Sequence, residues 1–203
     1  GANLGEMALH MASKVGSQGM VYAFEPVPHV YQRLLTHIAR NFCGRNVQAF
    51  DLALSDSNSR VLLSFTDPSA DNQALGSIVN THRSGLTRQA DVQTCTLDHF
   101  VAEYGIPRID FMKVDIQGAE WLLLQGGQQV FSRLAPELLM EISPSDLCQI
   151  GRDSRQLAAL LEGFSYEIYS LGRDGKPEER LCASTLDPSF RASNVLCTKR
   201  PMA

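Results

Sequence analysis

Short β-rich apolar runs alternate with helix-spaced apolar stripes along the whole chain, and few architectures accept such a pattern. Leu4, Met7, Ala8, Met11, Ala12 and Val15 recur at helical spacing before Gly16. Val21 to Phe24 follows as a strand, and Val30, Leu34, Ile38 and Phe42 form a second helical stripe ending at Gly44. Val47 to Phe50 reads as a strand, and Val61 to Phe65 as another in an inserted hairpin. Val92 to Thr96 is a short strand whose last residue caps a helix carrying Leu97, Phe100, Val101 and Tyr104. Ile109 to Val114 is a buried strand, and Gly118 opens a helix reaching about Phe131. Leu138 to Ile142 is a strand, and Leu157, Leu160 and Leu161 mark a helix stopped by Gly163. Tyr166 to Leu171 and Val195 to Thr198 close the chain as two strands. Strands separated by helices predict an α/β fold with a mostly parallel sheet.

Composition narrows the function. The chain has 203 residues, 44% hydrophobic, with a formal net charge of −4. That size suits one domain and that apolar share excludes disorder. No apolar run is long enough to span a bilayer, so no membrane partner is expected. The mild acidity argues against nucleic acid as a partner. Five cysteines, scattered and without a CxxC pair, predict free thiols in a reducing compartment, the cytoplasm. The segment from Thr66 to Asp91 is poor in apolar residues, as functional or mobile loops are.

Three constellations carry chemistry. Gly1-Ala2-Asn3-Leu4-Gly5 leads directly into a helix. Glycines at such a turn let backbone approach a ligand, and the helix N-terminus favours an anion. Taken alone the turn serves equally well as a loop without ligand. Glu25 ends the next strand, 20 residues after Gly5 and before Pro26. In nucleotide-binding α/β folds that spacing aims a carboxylate at ribose hydroxyls. Asp115 follows the apolar strand Ile109 to Val114, at the sheet edge where open α/β folds bind ligands. It either meets the ligand, as acceptor or base, or caps the next helix. Glu120 lies in the first turn of that helix, where the dipole alone explains an acid. Lys113 can pair with either.

These residues resemble a family. Gly-Ala-Asn-Leu-Gly, Tyr22-Ala-Phe-Glu-Pro26, Ala53-Leu-Ser-Asp56, Thr96-Leu-Asp98, Ile109-Asp-Phe-Met-Lys-Val-Asp-Ile-Gln-Gly-Ala-Glu120 and Leu139-Met-Glu-Ile142 occur in the order of the FkbM-type S-adenosylmethionine-dependent methyltransferases. The resemblance implies a class I methyltransferase fold, a Rossmann-like, mostly parallel seven-stranded sheet whose last strand is antiparallel. It implies one domain over residues 1–203. It also implies S-adenosylmethionine as cofactor, with Gly1, Ala2, Asn3 and Gly5 under its methionine part. Glu25 would hold the ribose, with Pro26 beside it, and Asp51 and Leu52 would flank the adenine. Asp115 would lie near the sulfonium and the acceptor. The family motif normally begins one strand earlier, so the chain is expected to lack its first strand and to be N-terminally truncated. Gln117 stands where many relatives carry Glu, which removes the charge a base there would need.

The expected reaction is O-methylation of a hydroxyl on a sugar, glycan or polyketide-like small molecule. Asp115 is the first candidate base, followed by Glu120 and His82. The other histidines, His10, His29, His37 and His99, read as structural or solvated. Residues 67–88 would cover the cofactor mouth, with Arg83 and Arg88 facing an anionic acceptor or simply solvent. No metal site is expected, since Asp115 and Glu141 lack a third ligand at a recognisable spacing. Two alternatives stay open: an NAD-type oxidoreductase domain, which would continue its sheet in parallel, and a non-catalytic module of a larger biosynthetic protein.

Overall fold

The structure is a computed structural model that describes residues 1–41, 44–67, 76–79, 86–186 and 190–199. Phe42, His82 and Arg83 lie outside the described residues. The chain divides into two compact units, residues 1–54 with 58–95, and residues 55–57 with 96–203.

The first unit opens on a strand–helix alternation: α1 (Glu6–Lys14), β1 (Val21–Phe24), α2 (Pro28–Arg40) and β2 (Val47–Phe50). β1 and β2 pair in parallel, in register from Val21 opposite Val47 to Phe24 opposite Phe50. Proline at the first turn of α2 supplies a fixed φ where no N–H is needed. The four-residue spacing of Val30, Leu34 and Ile38 buries all three. Leu34 and Ile38 pack with Ala8, Ala12, Val21, Ala23 and Val47 into one cluster. On α1 the buried face is narrower than the sequence stripe: Met7 and Val15 are exposed, and Leu4 precedes the helix.

The same unit carries a second sheet, ordered β3 (Leu52–Ser55), β6 (Leu86–Thr96), β4 (Arg60–Thr66) and β5 (Gly76–Ser77). β3 was not read from the sequence, and β6 is far longer than Val92 to Thr96. The reason is pairing: β6 runs antiparallel to β4 from Arg60 opposite Gln93 to Phe65 opposite Arg88. A polar strand gains its ladder from a partner that periodicity does not reveal.

In the second unit Thr96 caps α3 (Leu97–Glu103), accepting from His99 N–H at 3.2 Å. The following elements are β7 (Phe111–Val114), α4 (Glu120–Gly126), a π turn (Val130–Leu134), β8 (Glu137–Ile142), α5 (Pro144–Cys148), α6 (Ser154–Gly163), β9 (Glu167–Leu171), β10 (Pro177–Leu181) and β11 (Ser193–Thr198). They form one mixed sheet, β10-β9-β11-β8-β7. β7 and β8 are parallel, and β11 is antiparallel to both β8 and β9. Its core holds Leu124, Phe131, Leu138, Met140, Leu157, Leu161 and Val195, all buried. The helix expected to reach Phe131 ends at Gly126, where Gly126-Gly127 weakens it. A Cβ on Gly126 would run into Ser55 O, so close backbone approach fixes that glycine.

The described strands thus lie in hydrogen-bonded sheets of two, five and four, not in one ladder of seven. The alternating α/β character and the antiparallel closing strand are as expected, while the hairpins β4–β6 and β9–β10 add antiparallel pairing. Among the described residues no helix is long and apolar enough to cross a membrane.

Candidate functional site

In the first unit, the opening turn and the acid at the end of β1 meet directly. Glu25 is 4% exposed. Its Oε2 accepts from Asn3 N–H at 2.7 Å, and its Oε1 accepts from Val27 N–H at 2.9 Å. Val27 is the N-cap of α2, so one carboxylate ties the turn to the start of that helix. Ala2 N–H donates to Phe24 O at 2.8 Å and Gly5 N–H to Ala2 O at 2.9 Å, which closes the turn against the end of β1. Asn3 and Gly5 are left-handed, with φ of 52° and 93°. Asn tolerates that region because its side chain bonds locally, here accepting from Leu4 N–H at 2.7 Å. Gly5 answers to packing as well: an added Cβ would sit 2.5 Å from Leu34 Cδ1. Its smallness lets α2 close on the turn, a reason the sequence does not show. As N-cap of α1, Gly5 also leaves the first N–H groups of that helix without a side-chain cap.

In the same unit Pro26, Tyr31, Gln32 and Asp51 line a cavity of about 230 Å³ with Arg60 and Gln93. Asp51 lies at its wall, whereas Leu52 opens β3 and is not among the lining residues. Burial and the Asp51 charge both push the Tyr31 phenol above its usual range.

In the second unit the register of β7 on β8 sets Val114 opposite Met140. One residue further on, Asp115 and Glu141 are therefore neighbours. Gln117 Nε2 donates to Asp115 Oδ1 at 2.9 Å and lies 3.3 Å from Glu141 Oε2. Lys113 Nζ pairs with Asp115 Oδ2 at 3.0 Å. Burial pushes the Asp115 carboxyl up, but the Lys113 charge and the bonds from Lys113, Gln117 and Glu141 outweigh it and hold the group low. Burial, the Asp115 charge and the bond to Asp115 all push Glu141 up, and Asp146 adds to this. The two acids are thereby pushed apart, Asp115 toward its ionised form and Glu141 toward its protonated one. Gln117 has φ of 54°, an uncommon left-handed conformation for a non-glycine residue, held at the one turn where its amide bridges two acids.

Asp115 does not cap α4, whose N-cap is Ala119. Glu120 is buried, and its oxygens accept from Ile116 N–H at 2.9 Å and Gly118 N–H at 3.0 Å, bracing that turn. Burial raises its pKa to about 7. Arg88 pairs with Asp67 at 2.7 Å. Sequence reasoning missed Gln117 as a bridge and Glu141 as its second partner. The register of β7 on β8 brings these groups together, and neither strand's own residues reveal it.

A glycine turn feeding a helix, with a strand-end acid beside it, is an arrangement that this chain shares with nucleotide-binding α/β proteins. The antiparallel β11 departs from the parallel continuation of an NAD-type domain. A family model described as the methyltransferase FkbM domain matches residues 1–168. The chain belongs to the FkbM methyltransferase family. It is 28% identical over 193 residues to methyltransferase sdnD of Sordaria araneosa, covering 83% of this chain and 72% of that protein. It is 24% identical over 200 residues to the antimetabolite synthetase AmbE of Pseudomonas aeruginosa, covering 83% of this chain but 9% of the synthetase. The crystal structure of methyltransferase FkbM from Methylobacillus flagellatus superposes with a TM-score of 0.57 at 17% identity, over 98% of this chain and 41% of that one. The chain therefore spans under half of the crystallised relative.

Proposed function

We propose that this protein is an S-adenosylmethionine-dependent O-methyltransferase acting on a hydroxyl of a sugar, glycan or polyketide-like small molecule. Residues 1–203 serve as one FkbM-like domain, and the family match draws on both units. The observation that carries the reading is the 2.7 Å bond between Glu25 and Asn3 N–H. It brings the ribose acid to the turn that would underlie the methionine part, formed by Gly1, Ala2, Asn3 and Gly5. The donor set fits the group. Each Glu25 oxygen accepts one bond from protein and keeps a second lone pair for a ribose hydroxyl. Pro26 and Asp51 offer a cavity wall to the adenine, with Leu52 next in sequence.

S-adenosylmethionine supplies an electrophilic methyl group on a sulfonium. The chain's own part is to orient the acceptor hydroxyl and take its proton. Asp115, kept ionised by Lys113, is the base we assign. Glu120 is committed to two backbone N–H groups, and holding the 116–118 turn is its first duty. The relatives support a biosynthetic small molecule as acceptor: one is a methyltransferase by name, the other an antimetabolite synthetase. Four free thiols, at Cys95, Cys148, Cys182 and Cys197, support the reducing cytoplasm as its location.

Calorimetry with S-adenosylhomocysteine tests the reading. Saturable binding of one equivalent is expected, and no binding at high micromolar ligand overturns it. Mass spectrometry of a panel of hydroxylated acceptors, each incubated with the protein and S-adenosylmethionine, then separates oxygen from other acceptor atoms.

A further inference from the structure

His37 stands on α2, half-buried, one turn beyond the Leu34 that packs under Gly5. Its ring leaves the helix for the opening turn: Nδ1 lies 2.7 Å from Leu4 O. A carbonyl oxygen only accepts, so Nδ1 carries the proton in this contact. The bond falls on the peptide joining Leu4 to Gly5, a peptide with unusual surroundings. Asn3 before it and Gly5 at its far end are both left-handed. Positive φ on both flanks marks a backbone conformation that its surroundings have to hold in place. In the observed orientation Gly5 N–H closes on Ala2 O and Leu4 O faces His37. A rotated peptide would lose both bonds.

We propose that His37 is a positioning residue of the cofactor turn, locking the Leu4–Gly5 peptide so that its dipole and the uncapped N-terminus of α1 favour an anionic ligand group. The inference rests on the reading of this turn as the S-adenosylmethionine site. Glu25 fixes the turn from the strand side through Asn3 N–H, and His37 fixes it from the helix side through Leu4 O. The turn is thus held at successive residues by two side chains from different elements.

Asparagine and glutamine separate this role from packing. The amide nitrogen of Asn can occupy the place of Nδ1, whereas that of Gln falls near the place of Nε2. Wild type, His37→Asn, His37→Gln and His37→Ala are titrated with S-adenosylhomocysteine by calorimetry, and their melting temperatures are recorded. Nitrogen-15 NMR of the unliganded wild type reads which ring nitrogen of His37 is protonated. We expect Nδ1 to carry the proton. Binding is expected to weaken roughly fivefold or more in the Ala and Gln variants and to stay within about twofold of wild type in the Asn variant. If wild type does not bind, the cofactor reading fails and this role with it. If wild type binds but the Ala and Gln variants match it, or Asn fails as badly as Ala, the positioning role alone is overturned. Should the variants not fold, the NMR result decides: a neutral ring protonated only at Nε2 overturns the proposal.

Discussion

At Glu25 a single carboxylate accepts from Asn3 and Val27 N–H groups and is almost fully enclosed. Glu25→Ala removes a charged acceptor, and calorimetry should show S-adenosylhomocysteine binding weaker by about 1–3 kcal/mol. Glu120 offers a test of a different kind. Its folded pKa of about 7 lies above the ordinary glutamate value of 4.5. The folded state therefore holds this proton more tightly than the unfolded chain does. The resulting stability is complete below about pH 4.5 and is lost as pH rises through about 7, amounting to up to about 3 kcal/mol. Glu120→Gln cannot titrate. Urea unfolding at about pH 5 and about pH 8 should show wild type losing stability relative to the variant as pH rises. An unchanged difference between the two pH values refutes this. Residue-level legibility was uneven. The Glu25–Asn3 pairing follows from a strand length and a turn, both local in sequence. The Gln117 bridge depends on β7 and β8 lying in one register, and nothing local to either strand sets that register.

Among the elements, α6 shows what is legible and what is overlooked. Its apolar residues gave the helix, and its N-terminus carries a capping box of Asp153 and Gln156, each side chain bonded to the other's backbone N–H. Asp153→Ala should cost about 1 kcal/mol, read by chemical denaturation, with the effect confined to the unit that holds the mixed sheet. The elements the sequence concealed share a physical trait. β3 and β10 are short strands whose pairing partners, not their composition, make them strands. Elements with a strong stripe of their own, such as α2 and β8, were found within a few residues of their bounds.

For the molecule as a whole, ligand binding and stability are linked. If the first unit holds the cofactor, S-adenosylhomocysteine at a hundredfold its Kd should stabilise that unit by about 2.7 kcal/mol. Thermal unfolding with and without ligand measures this, and an unmoved transition contradicts it. Fold class and family were legible because ordered motifs survive across the chain. The division into two units was not, since it reflects which segments contact one another.

The twofold bonding of Glu25 bears on how such chains diverge. Shortening or neutralising that side chain would loosen the first turn and the second helix together. A descendant that gave up methyl transfer would still need glutamate there to keep its shape. A preserved acid at this position in a relative therefore testifies to architecture as well as to ligand binding, and turnover has to be judged from residues with no scaffold duty.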